Sequence, residues 1–131
     1  KEFKDLQNYL RKELLEVKKE LSEFSPEILI GTAGTVTTLA ALKEKIYPYD
    51  PEKIHGSIFS LHDAESILED LKKKSLAERL SLKSLEKGRE DLIIAGTAIV
   101  LATMHAFDCK MLKVSEYSLR EGIILNAIHK N

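Results

Sequence analysis

Only one cysteine, Cys109, occurs in the 131 residues, which rules out an intramolecular disulfide and favours a reducing compartment. Its expected place is a buried one, as a small apolar side chain and not a reactive thiol. Charge of one sign is lacking too: 20 Lys and Arg against 21 Asp and Glu leave a net charge of -1. No basic field is available to attract nucleic acid, so any anion site must be local. The longest apolar run, "LIIAGTAIVLATMHAF" (92–107), falls short of the roughly 20 residues that span a bilayer, and a buried helix is expected instead of a membrane partner. No signal peptide is visible and no methionine opens the chain, which begins at Lys1 inside a helical pattern. A cytoplasmic protein is expected, and the chain reads as a piece of a longer one.

What is present is enough for one core: 44% hydrophobic residues in a chain of ordinary single-domain length. From residue 3 to 24, Leu6, Leu10, Leu14, Val17 and Leu21 recur at helical spacing, and Pro26 is expected to end this helix. "EILIG" (27–31) reads as a short buried strand, followed by a helix from 35 or 36 to about 46. "YPYDPEK" (47–53), with two prolines, reads as a loop, and "KIHGSIF" (53–59) as a short extended segment. Ser60 with Asp63, Ser75 with Glu78, and Ser118 with Glu121 have capping-box spacing for helices reaching about residue 73, a short one after 75, and a last one to about 129. "LSLKSLEKGRED" (80–91) reads as a polar connection into a central helix over 92–107, whose Gly96 admits a close neighbour. "KMLKVS" (110–115) reads as a second strand. The alternation is that of an α/β fold, helix-rich with a small sheet. Two strands make a poor sheet, so partners for it are expected outside this chain.

Chemistry concentrates at "ILIGTAGTVTTLAAL" (28–42). A strand running into small residues and then a helix brings backbone amides and the positive end of a helix dipole to one point, where phosphate fits. Gly31 and Gly34 allow close approach or positive φ, and Thr32 and Thr35 bring hydroxyls. No lysine follows the second glycine, so this is not a Walker A loop, nor is it G-x-G-x-x-G. A phosphate cradle and a plain strand-to-helix turn both remain open on this pattern alone. His55, His62, His105 and His129 lack metal-ligand spacing and read as surface or core residues, so no metal site is expected. Glu90 and Asp91 suit a helix start. In "SEYSLREG" (115–122), Arg120 suits either an anion or a pairing with Glu121 or Glu116.

Four blocks, "GTAGTVTTLAAL", "YDPEKIHGSIFSL", "GREDLIIAGTAIVLATMHAF" and "VSEYSLREGIIL", together resemble the exopolyphosphatase and guanosine pentaphosphate phosphatase family, in matching order and spacing over residues 28–125. The resemblance implies a fold of the actin, sugar kinase and Hsp70 type, in which two ribonuclease-H-like domains enclose a cleft. Residues 1–131 would be a single fragment, the later part of the second domain. It implies hydrolysis of a terminal phosphoanhydride of polyphosphate or guanosine pentaphosphate with Mg²⁺, and Gly31, Thr32, Ala33, Gly34 and Thr35 as a phosphate- or nucleotide-binding loop facing the cleft. Arg120 would be a further cleft residue. The family's catalytic glutamate and its other phosphate loops have no counterpart in these residues, so no catalytic residue is assigned and the fragment alone is expected to be inactive. The family often has aspartate where this chain has Glu116, which puts a cleft role for that carboxylate in doubt. A homodimer is the expected assembly. The alternative from another class is a non-enzymatic module for nucleotide sensing or assembly.

Overall fold

A computed structural model describes residues 1–130 of the chain. Its elements run α1 (Glu2–Glu20), β1 (Leu29–Thr32), α2 (Gly34–Glu44), α3 (Pro51–Ile54), β2 (Ile58–Ser60), α4 (Leu61–Lys73), α5 (Leu76–Leu80), α6 (Ile93–Ala106), β3 (Met111–Ser115) and α7 (Leu119–His129). The fold is α/β and helix-rich, with a mixed three-stranded sheet in the order β1-β3-β2.

The central element is α6, whose apolar residues surround it on all sides, as befits a helix packed on several neighbours. Ile93, Ala98, Val100, Leu101 and Met104 are buried there against α1, α2 and α4. Thr97 is also fully buried, and its hydroxyl donates to the Ile93 carbonyl at 2.6 Å, so no polar atom is orphaned.

β1 pairs parallel to β3, with Leu29 opposite Leu112 and Gly31 opposite Val114. β2 runs antiparallel to β3, with Phe59 opposite Leu112. These inward residues meet α2 and α4. The alternate positions Ile30, Ile58 and Met111 stay exposed on the other face, around Lys113. One face of the sheet is thus covered by helices and the other is open among the described residues.

Three expectations are corrected. The extended segment before Ser60 is a true third strand: the Gly56 amide donates to the Val114 carbonyl at 2.8 Å, and the Val114 amide to the Ser57 carbonyl at 2.8 Å, which prolongs its ladder beyond β2 itself. "YPYDPEK" contains a helical turn, because Asp50 accepts from the amides of Glu52 and Lys53 while Pro51 stands at the first helical position, where a missing N–H does no harm. α1 ends at Glu20, several residues before Pro26. Its stripe packs through Leu6, Leu10 and Leu14, but beyond these Val17, Leu21 and Phe24 are exposed, so the last apolar residues of the pattern find no surface to hold the helix.

α4 starts with a complete capping box. The Asp63 amide donates to Ser60 Oγ at 3.1 Å, and the Ser60 amide donates to Asp63 Oδ2 at 2.8 Å. The Ser60 amide, with Lys43 beside it, holds the Asp63 carboxyl below its ordinary value. Ser60→Ala is expected to lower stability by about 1 kcal/mol, read as an earlier midpoint in urea at pH 7. A depressed folded pKa means that the contribution of Asp63 is fully present above the ordinary carboxylate range and is lost as pH falls through the lowered value. Asp63→Asn should therefore flatten part of the acid branch of the stability curve, whereas an acid branch identical to that of the parent chain would refute the assignment.

Candidate functional site

The exposed end of β1 leads directly into α2, and the turn between them has an unusual backbone. Ala33 takes φ 68° and ψ -179°, a region that glycine alone enters readily. The strain of such a residue is on the order of 1 to 3 kcal/mol, tolerated only where the surroundings hold it. They do so here through Thr37, whose amide and hydroxyl both donate to the Ala33 carbonyl, at 3.2 and 3.3 Å, and whose hydroxyl also reaches the Gly34 carbonyl at 3.2 Å.

No side chain caps α2. The amides of Gly34, Thr35 and Val36 are therefore the open donors of a helix start, directed at one point with the positive end of the helix dipole. Thr32 and Ala33 at its rim are exposed. An oxyanion fits such a place, and phosphate is the common case.

Each glycine of the loop serves close approach, and neither takes positive φ. A Cβ on Gly31 would come within 2.7 and 2.9 Å of the Val36 methyls and 3.0 Å of Leu112, inside the core. A Cβ on Gly34 would collide with the Arg89 guanidinium. On α6, a Cβ at Gly96 would lie 2.6 Å from the Thr35 hydroxyl, so the Thr35 side chain turns toward α6 and leaves its amide as its contribution to the loop.

Arg89 is the residue that sequence reasoning missed. It lies just before α6, in a stretch read as a polar connection, and is brought onto the first residue of α2 by the packing of the two helices. Its Nε donates to Glu86 Oε2 at 2.6 Å, and the terminal nitrogens of the fork stay against Gly34. A guanidinium there adds directional donors for a phosphate beside the amides. The signal available in the sequence was slight: a lone arginine in "EKGRED", three residues after a glutamate.

The other sequence candidates lie around this point or away from it. Ser115, at the end of β3, stands in register with Thr32. Glu116 follows it, and its backbone amide donates to His55 Nδ1 at 3.1 Å. Arg120, by contrast, extends into solvent at the start of α7 with Glu121 as its ion partner at 3.8 Å, the pairing that the sequence left open. Cys109 is buried, its thiol directed to the Pro26 carbonyl. Among the described residues no group of three His, Cys, Asp or Glu side chains converges as a metal site.

Comparison with known proteins places this geometry in a wider setting. The Aquifex aeolicus member of the Ppx/GppA family superposes with a TM-score of 0.90 and 35% identity, over 98% of this chain and 41% of that one. An exopolyphosphatase from Cytophaga hutchinsonii shares the fold, with a TM-score of 0.81 and 24% identity over 95% of this chain and 41% of that one. By sequence, a bifunctional 3-dehydroquinate synthase/phosphatase of Fusobacterium nucleatum is 35% identical over 112 residues, which are 84% of this chain and 17% of that protein. Exopolyphosphatase 2 of Mycobacterium tuberculosis is 32% identical over 102 residues, 74% of this chain and 32% of that protein. The chain thus spans under half the length of these solved structures and about a third or less of these curated relatives. The Ppx/GppA phosphatase pattern matches residues 1–131 in full. The chain belongs to the Ppx/GppA phosphatase family.

Proposed function

We propose that the chain supplies one phosphate-binding wall of a phosphoanhydride hydrolase acting on polyphosphate or guanosine pentaphosphate. The observation that carries this reading is the convergence of the open amides at the start of α2 with the Arg89 guanidinium at Gly34. Residues 31–35 would hold a phosphate through the amides of Gly34 and Thr35 and the exposed Thr32 hydroxyl, with Arg89 neutralising part of its charge. Such contacts orient the substrate and absorb charge that builds on phosphate oxygens during transfer.

The attack itself needs a group to orient water, and two carboxylates on the segments around the loop are engaged otherwise. Glu86 is paired with Arg89 and Glu116 with the Tyr49 hydroxyl. In this reading the water-orienting carboxylate and the ligands of Mg²⁺ belong to protein outside these residues, in the first domain of a two-domain enzyme. The isolated chain then binds and does not hydrolyse. Turnover of long-chain polyphosphate with Mg²⁺ well above buffer, abolished by a substitution within the chain, would contradict that division of labour. Binding without turnover in the longer protein as well would favour the sensing module.

Arg89→Ala is expected to weaken tripolyphosphate binding by about tenfold, which corresponds to roughly 1.4 kcal/mol and is modest for charge-assisted hydrogen bonds. Calorimetric titration checks it, and equal affinities would remove Arg89 from the site. The two loop glycines should separate. Gly34→Ala meets only the flexible end of Arg89 and is expected to weaken binding with the melting temperature nearly kept, whereas Gly31→Ala meets the core residues Val36 and Leu112 and should lower the melting temperature.

Self-association is the second expectation for the isolated chain. The outer edge of β1 is unpaired among the described residues, and Ile30 beside it is 69% exposed, a combination that invites strand pairing with another copy. Sedimentation velocity should show a dimer fraction growing with concentration; a monomer throughout would reject pairing through this edge.

A further inference from the structure

Arg89 sits in a turn whose polar groups are occupied in fixing its backbone. The Arg89 amide donates to the Glu86 carbonyl at 3.1 Å, and the Arg89 carbonyl accepts from the amides of Leu92 and Ile93 at 3.0 and 2.9 Å. Beside it, Gly88 takes φ 87°, and its amide donates to Glu90 Oε2 at 2.7 Å. The Glu90 carbonyl accepts from Arg79 Nε at 3.0 Å. Nη1 of Arg79 also donates to the carbonyls of Lys74 at 2.7 Å and Leu71 at 3.3 Å, so one guanidinium pins the turn to the end of α4. On the other side Leu85 is buried with Leu71 and Ile93, and the Ser84 hydroxyl donates to the Ile46 carbonyl at 2.9 Å, just past the end of α2.

With the backbone fixed, the direction of the fork is decided by the side chain alone. Nε of Arg89 donates to Glu86 Oε2 at 2.6 Å, the one bond from this guanidinium to a protein acceptor among the described residues. The terminal nitrogens lie against Gly34. The pair is exposed, Glu86 at 71% and Arg89 at 41% of their side-chain surface, and at such exposure an ion pair contributes little to folding. Its effect is conformational. A free arginine loses the freedom of a long, flexible side chain when it takes hold of an anion, and a guanidinium already bonded through Nε has lost part of it beforehand.

We infer that Glu86 is a positioning residue for Arg89. It holds Nε, so that the terminal nitrogens already stand at Gly34, at the start of α2, before an anion arrives. Glu86 does not touch the anion in this scheme. The geometry stands by itself, and its purpose rests on the phosphate reading proposed above. Two effects of Glu86 then oppose each other: its negative charge repels an incoming anion, while its hydrogen bond arranges the guanidinium in advance. A carboxylate that acted only through its charge could be replaced with profit by any neutral residue. One that aims Arg89 can be replaced without loss only where an acceptor remains at the same reach.

Glu86→Gln and Glu86→Ala remove the same charge, and only the first keeps a carbonyl acceptor for Nε, so the difference between them isolates the hydrogen bond. In the ¹⁵N-labelled chain, the Nε–H signal of Arg89 is identified by its loss in Arg89→Lys. It should exchange with water about fivefold faster in Glu86→Ala than in Glu86→Gln, while amides in the middle of α6 keep their rates. Equal Nε–H exchange in the two variants overturns the aiming geometry, and faster exchange throughout α6 in Glu86→Ala would show general loosening and overturn it too. Tripolyphosphate titration at constant ionic strength then reads the purpose. Glu86→Gln should bind at least as tightly as the parent chain, and Glu86→Ala about threefold more weakly than Glu86→Gln, the cost of ordering a freed arginine on binding. Glu86→Ala as tight as Glu86→Gln overturns the positioning role and leaves the phosphate reading standing. Absence of binding by the parent chain would refute the phosphate reading and the purpose given to Glu86 with it, and leave Nε–H exchange to decide the geometry.

Discussion

The site depends on how closely α6 approaches α2. At Gly96 the absence of a side chain lets Thr35 seat against the helix backbone, and seven residues earlier, just before α6, the same approach carries Arg89 onto Gly34. Interiors packed to crystal-like density transmit such a displacement with little loss. A methyl group at position 96 would push the two helix starts apart, and the guanidinium and the open amides would no longer share a focus. Gly31 does the same on the sheet side, where Val36 and Leu112 fill the space a side chain would take. The loop is accordingly held from two directions by missing side chains, which is why a backbone as strained as that of Ala33 persists in it.

Electrostatically, the site is made of local dipoles and one cation, within a chain of net charge -1. Long-range steering of a polyanion is not available to it. Short-range geometry is, because amides fixed by secondary structure need no reorganisation when negative charge arrives. Two carboxylates are engaged elsewhere: Glu86 balances Arg89, and Glu116 accepts from Tyr49. A surface of this kind suits the shape and charge of a phosphate group, and the chain spans only part of the length of its relatives in the Ppx/GppA phosphatase family.

Local patterns were legible in the sequence, and non-local ones were not. The boxes at Ser60 and Ser75 formed as their spacing predicts, since each needs only residues three apart. The apolar run of α6 and the alternation of β3 were equally plain, because burial on all sides or on one side writes itself into consecutive residues. The strand-loop-helix unit at Gly31 was found by the same route. Arg89 was missed because its partner is 55 positions away and nothing in "EKGRED" distinguishes a guanidinium aimed at another helix from one in solvent. Of the two uses left open for Gly31 and Gly34, close approach is the one they serve, and the positive φ falls to Ala33, a residue whose composition gives no such signal. β2 was only half recognised: three residues carry too little alternation, and its identity comes from the ladder it makes with β3.

α7 carries a different kind of information. Leu119, Ile123, Ile124, Leu125 and Ile128 are all more than half exposed, and none of its residues is buried among those described. An eleven-residue helix without tertiary support is marginal in water, because nucleation is costly and propagation is short. The Ser118 amide bond to Glu121 helps its first turn but cannot supply what packing supplies elsewhere. The helix-coil balance of this segment is thus coupled to whatever covers its apolar residues. Its helical signal, read at single-residue resolution, is a built-in gauge of whether the surrounding protein has assembled.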